Sequence, residues 1–325
     1  MASTNAPREI LIIKPSSLGD VVHTLPSSLE LRRAFPDAKI RWLVNTEWQP
    51  LLEGLSHLDE VIEFPRRDFR GARGLLRIGP WASELRQRIN ADLVLDYQGL
   101  LRSALISKLC RGAEGRIIGL DDSREGARLF YHETVSTAGC VHAVDRYLAL
   151  TRAVTGIAGE KIEWPLPEGT PPARLPDFQS PFVLLHPFSR GEGKSLTPRQ
   201  VADFCESLAP QRIVVAGRGD QPVPKLANVI DLLNGTDLLE LIWLLRHGRF
   251  VVSVDSGPMH IAAAVTDRLI SIHTWSDPAK VGPYRPEAWV WQNGRLFQQR
   301  DRENAAVHRE AANLTDLAEF VRTQL

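Results

Sequence analysis

Glu9-Ile10-Leu11-Ile12-Ile13-Lys14-Pro15-Ser16-Ser17-Leu18-Gly19-Asp20 decides the fold. The β-branched run Ile10–Ile13 reads as a strand, and the polar turn after it leads into a helical pattern through Leu25, Leu29 and Leu31. The same alternation continues. Lys39-Ile40-Arg41-Trp42-Leu43-Val44, Glu60-Val61-Ile62-Glu63-Phe64 and Asp92-Leu93-Val94-Leu95-Asp96 are the next strands, with helical stretches between them. Near-continuous apolar strands separated by helices predict an α/β fold, with a parallel sheet covered on both faces.

The alternation stops at Trp164-Pro165-Leu166-Pro167-Glu168-Gly169-Thr170-Pro171-Pro172, and Pro176 and Pro181 follow. Proline lacks an N–H donor, so this stretch reads as a linker. The pattern then restarts. Phe182–His186, Arg212–Ala216, Phe250–Val254 and Leu269–His273 read as strands. Thr197-Pro198 starts one helix, as N-cap and first residue, and Asp237 opens another over Leu238–His247. The expected organisation is a doubly wound domain over 1–164, a linker over 165–181, a second doubly wound domain over 182–312 and a closing helix over 313–325. Two such domains imply a cleft, with ligands at the carboxyl ends of the strands.

Composition limits the alternatives. The 325 residues carry 39 basic and 39 acidic side chains, with 43% hydrophobic residues. That is ordinary globular composition, and it excludes a disordered chain or a nucleic-acid coat. Cys110, Cys140 and Cys205 stand far apart, which indicates neither a zinc site nor a disulfide framework and fits a reduced, cytoplasmic setting. The stretch MASTNAPREI has no apolar core of a secretory signal, and no apolar run approaches the roughly 20 residues of a membrane span. Residues 66–88 hold seven arginines against Asp68 and Glu84. With Gly71, Gly74 and Gly79 among them, they read as a flexible basic arm for an anionic substrate or membrane surface, or more plainly as a solvated face.

Several loops can carry chemistry. Asp20 is either a first-turn carboxylate favoured by the helix dipole or a general base. In Asp255-Ser256-Gly257-Pro258-Met259-His260, Ser256 reads as an N-cap with Pro258 at the first helical position, and the N–H groups of Ser256 and Gly257 suit an anion. Ser189-Arg190-Gly191-Glu192-Gly193-Lys194 is either a surface loop or a mobile loop near phosphate. It lacks the spacing of a Walker A loop. Gly217-Arg218-Gly219-Asp220 would let a nucleotide approach the backbone, but no GxGxxG supports a dinucleotide site, so an NAD enzyme is remote. His142 and Arg146, four apart on an expected helix over 141–154, share a face. No HExxH or DxD indicates a metal.

Four segments together resemble the family 9 glycosyltransferases, in particular the lipopolysaccharide ADP-heptosyltransferases. They are Lys14–Pro26, Asp96–Ala104, His142–Arg146 and Val252–His260, in the family's order over roughly 9–275. The resemblance implies a GT-B architecture, two Rossmann-like domains facing each other across a cleft, with acceptor bound by the first and nucleotide sugar by the second. It implies inverting, metal-independent transfer of heptose from ADP-heptose to the inner core of lipopolysaccharide, with no cofactor. Asp20 matches the catalytic base, and Lys194 looks like the lysine on the donor phosphates, with a part in catalysis. Ser189, Gly217, Asp220, Asp255, Ser256, Gly257 and His260 complete the implied donor site, Asp255 on the sugar. Ser17, Gln98, Arg102, Arg124, His142 and Arg146 form the implied acceptor site. The partners would be a nucleotide sugar and a lipid-linked saccharide, with no nucleic acid and with peripheral contact to the cytoplasmic face of the inner membrane through the 66–88 arm.

Departures fall on the donor side. Ser195-Leu196-Thr197-Pro198 follows Lys194 where the family usually has Trp and Pro, and the loop from His186 to Lys194 is one residue longer than the family's. Asp220-Gln221 stands where a ribose-contacting Glu is common. They leave open another nucleotide sugar or acceptor, or a catalytically silent binding homologue.

Overall fold

The computed structural model describes residues 6–157, 161–177 and 179–325. The chain divides into two compact units, Met1–Leu166 and Pro167–Leu325. The first contains β1 (Glu9–Ile13), α1 (Leu18–Ala34), β2 (Lys39–Asn45), β3 (Glu60–Phe64), α2 (Gly71–Arg88), β4 (Ala91–Asp96), α3 (Leu101–Cys110), β5 (Arg111–Leu120), β6 (Glu133–Val135) and α4 (Ala143–Thr155). Its sheet runs β3-β2-β1-β4-β5-β6, every pair parallel. This is the Rossmann order, and it reverses direction between β1 and β4.

Right-handed crossovers place helices on both faces. Leu11 and Ile13 of β1 join Val94, Leu85, Ile106 and Cys110 in one core layer beneath α2 and α3. Ile10 and Ile12 alternate to the opposite face, and all four side chains are fully buried. There α1 and α4 pack together. The flexible arm expected over 66–88 is instead mostly the helix α2. Phe69 and Trp81 pin it to Phe64 at the end of β3, and a Cβ on Gly74 would collide with the Phe69 carbonyl carbon at 2.3 Å. The glycine there permits close packing rather than flexibility.

The second unit contains β7 (Val183–His186), α5 (Pro198–Leu208), β8 (Ile213–Gly217), β9 (Val229–Leu233), α6 (Leu238–His247), β10 (Phe250–Val254), α7 (Gly257–Val265), β11 (Leu269–His273), α8 (Pro278–Val281), β12 (Trp289–Gln292), β13 (Arg295–Gln298), β14 (Arg309–Glu310) and α9 (Leu314–Gln324). Its sheet runs β14-β13-β12-β11-β10-β7-β8-β9. The six strands from β9 to β12 are parallel and repeat the order of the first unit, while β13 and β14 add antiparallel pairs. Two caps match the sequence: Thr197 accepts from Gln200 N, and Asp237 accepts from Glu240 N at 2.8 Å.

Among its described residues the Pro-rich stretch has no regular structure but is packed. Thr170 N donates to Leu239 O at 3.2 Å, and Arg246 Nη2 donates to Pro167 O at 3.2 Å. Helix α9 lays Leu314, Leu317, Ala318 and Val321 into the core formed with Val201, Phe204 and Leu208 of α5. Leu317 is fully buried there. Leu317→Ala should therefore lower unfolding stability by about 2–5 kcal/mol, read from urea melts; a loss within the error of the melt would show that α9 does not close this core.

Candidate active site

In the first unit, Lys14 directly follows β1 and Asp96 closes β4, so both lie where the strand order reverses. Lys14 is 3% exposed. Its Nζ donates to Tyr97 O at 3.0 Å, lies 3.8 Å from Asp20 Oδ1 and sits 4.6 Å from the centre of the Tyr147 ring. Burial lowers the pKa of this ammonium. Asp20 and Asp96 oppose the shift, and the nearby charges of Arg146 and Arg124 add to it.

Asp20 is the third residue of α1 and accepts from Ser17 at the N-cap, through N–H at 3.1 Å and Oγ–H at 2.8 Å. Its other oxygen accepts from the Tyr147 hydroxyl at 2.8 Å. Burial alone would raise the Asp20 carboxyl, but Lys14, both Ser17 bonds and Tyr147 outweigh it and hold the pKa below the ordinary value. The side chain keeps 37% exposure, so an ionised carboxylate is presented with part of its surface open. The helix-start reading of Asp20 thus holds, and its carboxylate remains open to the base role expected of it.

Asp96 is fully buried and accepts four bonds: from Gln98 N at 2.9 Å, Gly99 N at 3.1 Å, Ser103 Oγ at 2.8 Å and Tyr131 OH at 2.7 Å. Burial raises its pKa against these bonds. It fixes the loop that carries Gln98, whose Oε1 accepts from Ser16 N at 3.2 Å. Arg124 is exposed, and its N–H donates to Gly99 O at 2.8 Å in the same loop. Arg146 pairs with Asp122. Arg102 lies 5.6 Å from the centre of the Phe64 ring at the end of β3. His142 differs from its expected place on a helical face. It is the N-cap of α4, its Nδ1 accepting from Val144 N at 3.2 Å, and it packs edge-on against His23.

In the second unit the loops after β7, β8, β10 and β11 converge. Lys194 Nζ donates to Asp255 Oδ2 at 2.6 Å. The lysine stem passes Gly191, where a Cβ would meet Cδ at 2.9 Å, and its ammonium lies 5.1 Å from the centre of the Trp275 ring. Trp275 Nε1 donates to Glu192 O at 3.2 Å and Thr274 Oγ1 to Gly193 O at 2.8 Å, tying this loop to the end of β11. Ser189 exchanges two bonds with Ser195, at 2.9 and 3.0 Å. Phe188 abuts Gly219, so the Ser189 loop and the exposed Asp220 loop are neighbours.

Ser256 is the N-cap of α7 but does not cap with its side chain; its Oγ donates to Val254 O at 3.0 Å and lies 3.3 Å from His186 Nδ1. Gly257 takes the first helical position and Pro258 the second, one later than expected. Pro258 has no N–H, so this helix end offers the amides of Ser256 and Gly257 beside Lys194. His260 is buried one turn further in. Gly217 has φ +126°, and a Cβ there would lie 2.6 Å from the His186 ring, so packing also demands a glycine.

Burial would raise the Asp255 carboxyl, but the bonds from Lys194 and Ser276 and the nearby His273 bring its pKa below the ordinary value. Among the described residues, no group of three or more His, Cys, Asp or Glu could hold a metal ion. Lys14, Asp96, Tyr147, His186, His273 and Trp275 were not singled out from the sequence. Lys14 carried the best signal, as one of only seven lysines and directly after a strand.

Tyr147→Phe removes a donor to ionised Asp20, so the Asp20 pKa should rise, as followed by carboxyl NMR titration; an unchanged value would remove Tyr147 from this network. Burial also holds His186 and His273 to about 4, below the ordinary 6.5. The unfolded chain binds protons between these values that the folded chain does not. Their stabilisation is complete above pH 6.5 and is lost as pH falls towards 4, by up to about 1.4 kcal/mol per pH unit for each histidine. Urea midpoints should fall from pH 7 to pH 5; a constant midpoint would contradict both.

Residues 81–310 match the family described as glycosyltransferase family 9 (heptosyltransferase). Lipopolysaccharide heptosyltransferase 1 of Escherichia coli K12 is 28% identical over 85% of this chain and 90% of its own length. The lipopolysaccharide core heptosyltransferase OpsX of Haemophilus influenzae is 23% identical over 86% and 83%. The solved structure of E. coli heptosyltransferase WaaC with ADP superposes with a TM-score of 0.75 at 25% identity, over 98% of this chain and all of that one. With its two Rossmann-like units of the GT-B class, the chain belongs to glycosyltransferase family 9 and is a glycosyltransferase.

Proposed function

We propose that the chain moves a heptose from ADP-heptose to the inner core of lipopolysaccharide, at the cytoplasmic face of the inner membrane. The observation that carries the sugar and acceptor is the similarity, over 85% of the chain, to lipopolysaccharide heptosyltransferase 1. The structure with ADP and that with ADP-2-deoxy-2-fluoro heptose, both at 25% identity, support the donor class.

The chemistry is inverting transfer. Asp20 takes the proton of an acceptor hydroxyl as that oxygen attacks the anomeric carbon and the bond to the diphosphate breaks. Its lowered pKa suits it to be ionised at neutral pH. Lys14 lies 3.8 Å from it, and the charges of Arg124 and Arg146 reach the same lysine, a positive field that favours an anionic saccharide. In the second unit, a diphosphate arriving at Lys194 competes with Asp255 for the ammonium. The negative charge of the leaving group is stabilised by Lys194 and the amides of Ser256 and Gly257, and Asp255 is left to accept from donor-sugar hydroxyls. Ser189, Gly217, Asp220 and His260 complete the donor side; Ser17, Gln98, Arg102 and His142 support the acceptor side.

Asp20→Asn should cost roughly 10²–10⁴-fold in kcat with the fold intact; near-normal turnover would remove it as base. Lys194→Ala should weaken both donor binding and turnover. The donor itself is tested by thermal stabilisation with ADP, UDP, GDP, dTDP and CMP at matched concentration. ADP should stabilise selectively. Selective stabilisation by another nucleotide would replace the donor, the reading to which Asp220 and the long 187–194 loop point.

A further inference from the structure

The loop that carries Lys194 is closed at its neck and held again at its tip. Ser189 N donates to Ser195 Oγ at 2.9 Å and Leu196 N donates to Pro187 O at 2.9 Å, which fixes the neck. The tip is held from the end of β11. Thr274 Oγ1 donates to Gly193 O at 2.8 Å, Trp275 Nε1 donates to Glu192 O at 3.2 Å, and the Lys194 ammonium lies 5.1 Å from the centre of the Trp275 ring. Two consecutive residues thus meet three consecutive residues of the loop. Gly193, at φ +71°, takes the left-handed conformation that breaks the alternation of an extended chain, so the carbonyls of Glu192 and Gly193 reach the same neighbour. Core packing does not account for Trp275. It is 65% exposed and stands outside the core of the second unit.

The ammonium has two unlike neighbours. Asp255 holds it by charge at 2.6 Å. A carboxylate repels an arriving anion until the lysine has changed partners. The indole attracts a cation through its ring quadrupole and carries no charge with which to repel a phosphate. A lysine released from Asp255 therefore keeps a partner that does not oppose the diphosphate. Holding the long side chain in advance also lowers the rotamer freedom lost when the anion binds.

We propose that Trp275 is a positioning residue for the donor site: its ring and its bond to Glu192 hold the 187–194 loop so that Lys194 passes from Asp255 to the donor diphosphate without leaving the site. The inference rests on the transferase reading, in which Lys194 meets that diphosphate. It gives the lengthened loop, which has Ser195 and Leu196 directly after its lysine, an aromatic anchor supplied by β11 instead of by the loop itself.

The test is a double-mutant cycle on the full chain, with ADP binding followed by calorimetry. Trp275→Ala should weaken ADP about tenfold, through the lost ring contact and the lost Nε1 bond. Lys194→Ala should weaken it at least as much. Combined, the two should cost no more than Lys194→Ala alone, because the indole acts through the lysine. Trp275→Phe keeps a ring and loses the Nε1 bond, so its loss should fall between those of the unaltered chain and Trp275→Ala. In transfer from ADP-heptose to a deacylated core saccharide, Trp275→Ala should raise the donor KM and lower kcat, with the acceptor KM unchanged. The urea midpoint should not move, since the residue is exposed. Additive losses would mean that the indole touches the donor independently of Lys194. Unchanged ADP affinity would leave Trp275 without a part in the site, and a lowered urea midpoint would make it a part of the fold. Each of these overturns the inference and leaves the transferase reading standing. If a nucleoside diphosphate other than ADP binds, the donor reading falls and the same cycle with that nucleotide decides the role of Trp275. If none binds, both fall.

Discussion

An ammonium removed from water must be met by oxygen or negative charge, and the first unit is arranged around that requirement at Lys14. Its nitrogen draws the Tyr97 carbonyl, the Asp20 carboxylate and the Tyr147 ring to the end of β1. These belong to the loop after β4, to α1 and to α4, so one charge holds four elements in register at the reversal of the sheet. Asp96, also buried, does the complementary work by accepting four bonds and freezing the loop of Gln98 and Gly99. Asp20 gains its lowered pKa from this surrounding scaffold rather than from a single strong partner.

The second unit repeats the device with a different balance. A lysine again follows the first strand of the unit, and an aspartate again stands at the end of the fourth in chain order. Lys194 and Asp255 bond directly, but the lysine side chain keeps 22% exposure against 4% for Lys14. Lys14 is a fixed source of field, while Lys194 stands on a glycine-flanked loop that Trp275 and Thr274 tie down by two backbone contacts. A lysine of the second kind can change partners, which suits the diphosphate role proposed for it. The histidines beneath it, His186 and His273, are held neutral by burial and contribute shape and hydrogen bonding rather than charge.

Strands with continuous β-branched or leucine runs were legible in the sequence, as were helices opened by Thr197, Asp237 and Asn313. β5 was not, because Gly112, Gly115 and Gly119 leave it without a continuous apolar run. Their reason is tertiary: a Cβ on Gly115 would lie 2.3 Å from the Ala91 carbonyl oxygen and one on Gly119 2.3 Å from the Tyr131 ring. α2 was misread for a related cause, since glycines beside arginines look mobile until Phe64, Phe69 and Trp81 are seen to clamp them. Candidate residues on strand-to-helix turns could be named from local pattern and family resemblance. Tyr147 and Trp275 could not, because each is defined by a partner distant in sequence. His142 shows the limit of helical spacing, which cannot tell the first helical residue from the cap before it.

Each unit carries its own sheet and its own core, and Gly169, Thr170 and Ala173 are fastened to α6 of the second unit. The chain is thus written as two self-sufficient cassettes with a natural seam between Leu166 and Pro167. The loops at 187–197 and 217–220 hang from the strand ends of the second cassette. Inheritance can therefore rewrite the second cassette by loop exchange while the first passes unchanged, so that, on the roles proposed for the two, one lineage can try new donors on an old acceptor.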